Sequence, residues 1–287
     1  MITFEPEFFL KRNRDIDEVT LRAIAREVRK DILKMTSNVQ SGHPGGAMSA
    51  TDIIVTLYYY KMRHNPLNPK WEERDRFVLS KGHVCPALYS VLARTGYFPL
   101  EKLMEFRKID GDLQGHPDMH KTPGIEISTG SLGHGIGAAV GMALGLKLSG
   151  SDSKVYCMIG DGEAQEGSVW EATMAASHYN LSNLVVILDN NNLQIDGPVD
   201  EVMSIYPAAE KWRGFGWNVM EINGHDFKEI KEALDRADRS KFKPTIIIAK
   251  TVKGKGVSFM ENRAEWHGKA LPPELLKEAL KELGETV

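Results

Sequence analysis

The stretch VYCMIGDGEAQEGSVWEATMAASHYNLSNLVVILDNNNLQIDG, Val155–Gly197, decides how the rest of the chain is read. VYCMI and LVVIL are short apolar runs rich in Val and Ile, the pattern of strands buried on both faces. Between them, the run from about Glu166 to Tyr179 is long enough for a helix that carries the chain back over the sheet. A right-handed crossover of that kind makes the two strands parallel. Their carboxyl ends then share one edge, about 5 Å apart if they are neighbours, and open α/β sheets bind ligands at that edge. The first strand ends in Gly160-Asp161-Gly162, the second in an Asn-rich loop. Asp161 and Asn191 are therefore expected to converge.

One carboxylate and one amide oxygen beside glycines suit a hard divalent cation, and Mg²⁺ in particular is held by few protein groups plus phosphate oxygens. Gly160 and Gly162 let the backbone approach a phosphate and turn N–H groups towards it. The expected ligand is a metal-bound diphosphate. Gly-Asp-Gly alone reads first as a tight turn; the Asn-rich loop after the next strand is what favours the ligand.

These residues resemble a known family. Gly160-Asp161-Gly162 followed by Asn191 is similar to the diphosphate-binding signature of thiamine-diphosphate enzymes. The run Gly162–Gly167 with Trp170-Glu171 resembles the transketolase version. The likeness extends to Ser41-Gly42-His43-Pro44-Gly45, Ser80-Lys81-Gly82-His83, Gly115-His116-Pro117, Thr129-Gly130-Ser131-Leu132-Gly133 and His267-Gly268. The order is that of the amino-terminal half of transketolase, over about residues 20–270.

The chain's 287 residues, 42% hydrophobic and 26% charged, are expected to form one α/β domain over 1–287, a mostly parallel sheet with helices on both faces. A net charge of −3 gives no reason to expect nucleic acid or an anionic membrane as partner. Cys85 and Cys157 read as reduced thiols of a cytoplasmic protein. No stretch has the length of a membrane span.

In chain order, apolar residues at helical spacing (Leu21, Ile24, Val28, Ile32, Met35) predict a helix over Asp17–Ser37. Ser41–Gly46 reads as a Gly/Pro loop, followed by a helix from about Ala50 to Met62 whose three tyrosines read as packing. Arg76–Ser80 is an expected strand and Pro86–Arg94 a helix. Glu101–Phe106 is a short helix before an irregular, Gly-rich stretch. A glycine-dense turn, Ser128–Gly137, leads into a helix over Ile136–Leu148. Further on, a helix is expected around Ala208–Gly214, a strand over Trp217–Ile222, a helix over Asp226–Asp238, a strand over Thr245–Lys250 and a terminal helix over Leu271–Leu283. Gly133–Ala138 fits a loose G-x-G-x-x-A pattern, which raises a NAD-dependent dehydrogenase as a rival. That fold needs a strong strand before the pattern and an acidic residue ending the next strand. Here IEIS is short, and the next strand ends in Gly-Asp-Gly.

Of nine histidines, His43, His83, His116 and His267 sit beside Gly or Pro in loops, where function concentrates; His64, His120 and His178 do not, and His225, though it follows Gly224, is not singled out. Zinc spacing is absent. The resemblance implies roles. His83 and His267 contact the cofactor diphosphate, with Gly160, Asp161 and Gly162. His43 and His267 move protons on sugar hydroxyls, and His116 binds the donor's terminal hydroxyl. Gly130, Ser131 and Leu132 lie against the aminopyrimidine, and Ile195 packs by the thiazolium. Asp161, Asn191 and the Leu193 carbonyl hold Mg²⁺, with Ca²⁺ or Mn²⁺ as substitutes. Glu166 and Glu171 match acidic residues at an interface between subunits. Departures are His134, where many members have Gln, and Ser131, where many have Pro.

The implied activity is transfer of a two-carbon ketol unit from a ketose to an aldose, with sugar phosphates as substrates and a place in the pentose phosphate pathway. The family's activating glutamate sits on a pyrimidine-binding domain, expected here on a separate carboxyl-terminal subunit in an α2β2 heterotetramer. Alternatives within the same chemistry are another two-subunit ketol transferase, a deoxyxylulose-phosphate synthase-like component or a ketoacid dehydrogenase component.

Overall fold

A computed structural model describes residues 2–285. In chain order the helices and strands are α1 (Glu18–Asn38), α2 (Pro44–Thr56), β1 (Arg76–Leu79), α3 (Cys85–Arg94), α4 (His134–Leu148), β2 (Val155–Gly160) and α5 (Gly167–His178). β3 (Leu184–Asn190), β4 (Leu193–Gln194), β5 (Gly197–Pro198), α6 (Val199–Val202), α7 (Ala208–Gly214), β6 (Asn218–Asn223), α8 (Phe227–Asp238), β7 (Thr245–Lys250) and α9 (Pro273–Glu282) follow. Five strands form one sheet in the order β1-β2-β3-β7-β6, every pair parallel. β4 and β5 form a small antiparallel hairpin in the Asn-rich loop.

The period-2 geometry of strands explains why the central runs are apolar throughout. Tyr156, Met158, Val185, Ile187 and Ile247 face one layer, which includes α1, α2, α3 and α8. Val155, Cys157, Ile159, Val186 and Ile248 face the other, built on α4, α5 and α7. Both sides of the sheet are dry, as an all-parallel sheet requires. The edge strand β6 is the exception: its residues are half-buried or exposed, consistent with the polar Asn218, Glu221 and Asn223 along it.

α1 is the helix that its apolar spacing predicts, with Asp17 capping it by accepting from the Thr20 N–H at 2.6 Å. The three tyrosines at 58–60 are buried packing residues, in a π-type turn that extends α2. One boundary differs. Ser41–Gly46 is not simply a loop: α2 begins at Pro44, the favoured first position of a helix, and Gly45 and Gly46 are helical. Those glycines mark close packing rather than a break. A Cβ on Gly45 would stand 2.6 Å from the Trp266 carbonyl oxygen. Cys85 and Cys157 are buried free thiols. Among the described residues, no helix is long and apolar enough to cross a membrane.

Candidate functional site

Because the five strands run parallel, the segments that leave their carboxyl ends meet on one side. Ser80-Lys81-Gly82-His83 follows β1, Gly160-Asp161-Gly162 ends β2, Asn191 follows β3, and Thr251–Lys253 follows β7. His43 arrives at the amino-terminal cap of α2, and His267 from the loop ahead of α9. Together with Gly130, Leu132 and Leu193 these segments line a cavity of about 400 Å³. A larger cavity, about 630 Å³, lies beside Phe4, Tyr59 and Tyr97. Its walls are mainly apolar and its arginine, Arg94, is already paired with Asp31 at 2.6 Å. Size alone therefore does not locate the chemistry.

The acidic wall is Asp161, 3% exposed. Its Oδ1 accepts from the Gly162 N–H at 2.8 Å and its Oδ2 from the Asn192 N–H at 2.5 Å, so the carboxylate ties the β2 turn to the β3 loop. Asn191 is buried, and its Oδ1 accepts from the Leu193 N–H at 3.1 Å. Burial and the neighbouring Asp189 push the Asp161 carboxyl up to about 6. Asp189 itself is fully buried, but its position is compensated. It accepts from Lys81 Nζ at 2.6 Å, from Ser49 Oγ at 2.6 Å and from Thr251 Oγ1. Although burial opposes ionisation, Lys81 and these hydroxyls hold Asp189 below the usual carboxylate range.

The basic wall is a histidine cluster. Ring centroids of His43 and His83 are 5.2 Å apart, those of His83 and His267 5.2 Å, and those of His43 and His267 5.6 Å. His116 stands 6.3 Å from His43, exposed and outside the cavity lining. Burial, reinforced by Arg107, lowers His43 to about 4; burial and Lys253 lower His267 to about 3. His83 is held well below its ordinary value by burial and Lys81, and His116 is lowered by burial and Arg107. The lowering favours the neutral form of all four imidazoles. Buried Lys253 places Nζ 2.9 Å from His267 Nδ1, and burial beside Lys81 brings the ammonium down to about 8.

The directions of these shifts test which ligand fits. Asp161 is pushed towards its neutral form, a strain that a cation relieves. Lys253 and the imidazoles are pushed towards theirs, a strain that an anion relieves. The buried Nδ1 of His43 has no hydrogen-bond partner. A cation and an anion side by side, as in a metal-bound diphosphate, match both walls.

Most of the expected site residues gather here. Ile195, 65% exposed, and Glu166, also exposed, stand at the mouth. Ser131 is exposed beside Gly130 and Leu132 without lining the cavity. Three residues without an expected role prove central: Lys81, Lys253 and Glu163. Lys81 carried a signal, a lysine directly after a buried strand at the ligand edge. Glu163 carried none, because its partners lie far apart in sequence. Its buried carboxylate accepts from Ser80 Oγ, from the Gly133 N–H at 2.9 Å and from the Gly160 N–H at 3.1 Å. That one side chain fastens the β1 turn, the Gly130–Gly133 loop and the end of β2 together. The dehydrogenase rival loses its footing: residues 125–128 form no strand before Gly133.

Comparison with known proteins agrees with this geometry. The family described as transketolase, thiamine diphosphate binding domain, matches residues 21–286. The chain belongs to the transketolase family. Among relatives, the 6-deoxy-6-sulfo-D-fructose transketolase subunit SqwG of Clostridium sp. (strain MSTE9) is 43% identical over 266 residues, covering 93% of this chain and 97% of the relative. An apulose-4-phosphate transketolase subunit of Phocaeicola vulgatus is 41% identical over 268 residues, covering 93% and 95%. The crystal structure of transketolase from Campylobacter jejuni superposes with a TM-score of 0.89 at 37% identity. That match covers 94% of this chain but only 43% of the other. This transketolase-family chain thus corresponds in length to the named subunits and to less than half of the longer enzyme.

Proposed function

We propose that the chain is the thiamine-diphosphate-binding subunit of a two-subunit transketolase, transferring a two-carbon ketol unit from a ketose to an aldose. The observation that supports this most directly is the cavity in which a buried, proton-prone Asp161 faces three neutral histidines and a buried lysine. In this reading Asp161, Asn191 and the Leu193 carbonyl hold Mg²⁺. Lys81, Lys253, His83 and His267, with the Gly160–Gly162 backbone, face the diphosphate. Gly130, Ser131 and Leu132 lie towards the aminopyrimidine and Ile195 towards the thiazolium. When bound, the cofactor supplies the carbanion chemistry of the transfer. The chain's own side chains orient the sugar and move protons on its hydroxyls: His43 and His267 as acceptor and donor, His116 at the donor's terminal hydroxyl.

Two relatives are named for a sulfonate-bearing and a phosphate-bearing sugar, and we extend an anionic sugar substrate to this chain. A separate subunit would bring the activating glutamate and complete the acceptor side. The relatives named as subunits and covered almost end to end support a separate partner; an α2β2 assembly in the cytoplasm is the further expectation that the family resemblance carries.

Calorimetry with thiamine diphosphate and Mg²⁺ tests the reading on the purified chain. Saturable binding that needs the metal is expected; no binding with or without Mg²⁺ overturns it. With the partner subunit present, His43→Ala is expected to lower turnover about 100-fold, within the range for a lost acid–base group, while leaving cofactor affinity within about threefold. Unchanged turnover removes His43 from the proton path.

A further inference from the structure

His225 lies outside the cavity, and its place in the sequence, between Gly224 and the Asp226 cap of α8, gave it no functional mark. Its two ring nitrogens are nevertheless fully committed. Nδ1 is 2.7 Å from Asp52 Oδ2, and Nε2 accepts the Val252 N–H at 2.8 Å. A nitrogen that accepts a backbone N–H carries no proton, so the imidazole is neutral, with its hydrogen on Nδ1 pointing at Asp52. Asp52 is buried in α2 and fixed from its other side by Arg29 of α1, at 2.9 Å to Oδ1 and 2.7 Å to Oδ2. Burial opposes its ionisation, but Arg29 and the His225 hydrogen bond hold it below the usual carboxylate range. Arg22, Arg26, Lys255 and Glu282 line the same pocket as the ring; Lys255 pairs with Glu261 at 3.2 Å in the segment after β7, and Asp226 caps α8.

Val252 is the middle residue of the segment that reaches the cavity. On one side of it Thr251 donates to Asp189; on the other Lys253 Nζ meets His267 Nδ1 at 2.9 Å. The Thr251 N–H is held by the Asn190 carbonyl at 3.1 Å, and the Gly254 N–H by the Gly45 carbonyl at 2.9 Å. The Val252 N–H has a side chain for its acceptor, and that side chain is His225. A chain of contacts therefore runs from Arg29 through Asp52 and His225 to the peptide that presents Lys253 to His267.

We propose that His225 is a positioning residue: anchored by the Arg29–Asp52 pair, it holds Val252 so that Lys253 fixes and orients His267 at the diphosphate side of the cavity. Its consequence for cofactor binding rests on the function proposed above; its structural core does not. His225 touches neither the cavity wall nor a ligand, and acts through the backbone of its neighbour.

The ligand-free test is ¹⁵N NMR of the imidazoles in the purified wild-type chain. The expected His225 signature is a protonated Nδ1 and an unprotonated Nε2; a proton on Nε2 overturns the proposal without any variant having to fold. The variant test compares His225→Leu with His225→Gln. Glutamine can accept the Val252 N–H through its carbonyl and donate to Asp52 through its amide; leucine can do neither. His225→Leu is expected to lower thiamine diphosphate affinity about tenfold, the order expected for a buried donor left without its acceptor. It is also expected to raise the His267 titration midpoint as Lys253 moves off. His225→Gln is expected to restore both to near wild type. If the His267 midpoint is the same in all three folded proteins, His225 is merely structural and the proposal falls. If wild type itself fails to bind thiamine diphosphate while the His267 midpoint moves as expected, the functional reading fails and the positioning role stands.

Discussion

Asp161 is held in a state that the ligand-free protein disfavours. Its carboxyl is raised from 3.8 to about 6 by burial and by Asp189. The folded protein therefore binds this proton more tightly than the unfolded chain does. That stability is fully present below about pH 4 and is lost as pH rises through 6. The difference corresponds to about 3 kcal/mol. Asp161→Asn removes the titration but turns an amide N–H towards the Gly162 or Asn192 N–H, a pH-independent cost of about 1–3 kcal/mol. The variant's melting temperature relative to wild type is therefore expected to be higher at pH 8 than at pH 5, and thermal melts at both values check it. The same variant is expected to bind thiamine diphosphate with Mg²⁺ about 100-fold more weakly, as a lost charged ligand implies. A difference from wild type that is the same at pH 5 and pH 8 contradicts the electrostatic account. Glu163 is raised by burial too, but hydrogen bonds from Ser80, Gly133 and Gly160 oppose the shift. In Glu163→Gln one acceptor oxygen becomes an amide donor facing one of those three groups, and a mismatched buried group of this kind costs about 1–3 kcal/mol. The expected result is a melting temperature lower by several degrees, with cofactor affinity reduced as the Gly130–Gly133 loop comes free of the β1 turn. Unaltered affinity in a folded variant would show that Glu163 does not hold that loop in place.

At the scale of elements, α2 and α4 show glycine used in two ways. In α2 the glycines near the amino terminus let neighbouring loops approach, and the Trp266 carbonyl sits where a Gly45 side chain would be. In α4, Gly137, Gly141 and Gly145 are exposed, and a Cβ on any of them would meet nothing within 4 Å. Leu148 and, on α5, Met174 are exposed apolar residues, at 79% and 57%. A glycine-lined helix costs stability in isolation, about 1 kcal/mol per position against alanine. Gly141→Ala is therefore expected to stabilise the isolated chain by about that amount. Gly141→Leu is expected to leave it folded. If α4 packs against another subunit in the proposed assembly, Gly141→Leu weakens association, and ultracentrifugation with the partner reads it. Full assembly in the leucine variant excludes α4 from the interface.

Over the whole molecule, the cavity opens at the sheet edge, with Ile195 and Glu166 exposed at its mouth and His116 exposed nearby, 6.3 Å from His43. The proposed partner would cover that mouth and exclude water from the cofactor. The purified chain alone is expected to bind thiamine diphosphate but to show no ketol transfer; adding the partner subunit restores it. Robust turnover by the chain alone, with xylulose 5-phosphate and ribose 5-phosphate, refutes the two-subunit reading.

The sequence by itself determined the parallel order of β2 and β3, because two apolar runs separated by a helix-length segment have few other ways to lie. It also determined that Asp161, Asn191 and their glycines share an edge, since that follows from strand direction alone. Gly and Pro neighbours mark the loop histidines without separating them from His225, which follows Gly224; their convergence is inferred from the family resemblance. Only the tertiary structure decided that Lys81 would neutralise Asp189, that Glu163 would join three turns, and that His225 would grip Val252. Each depends on residues distant in the chain meeting inside the protein, and no local pattern records such a meeting. The start of α2 escapes a local reading for the same reason: Gly45 looks like a loop residue until Trp266 is seen against it. Local periodicity sets elements and their direction; which buried charges end up compensated depends on the contacts that folding brings together.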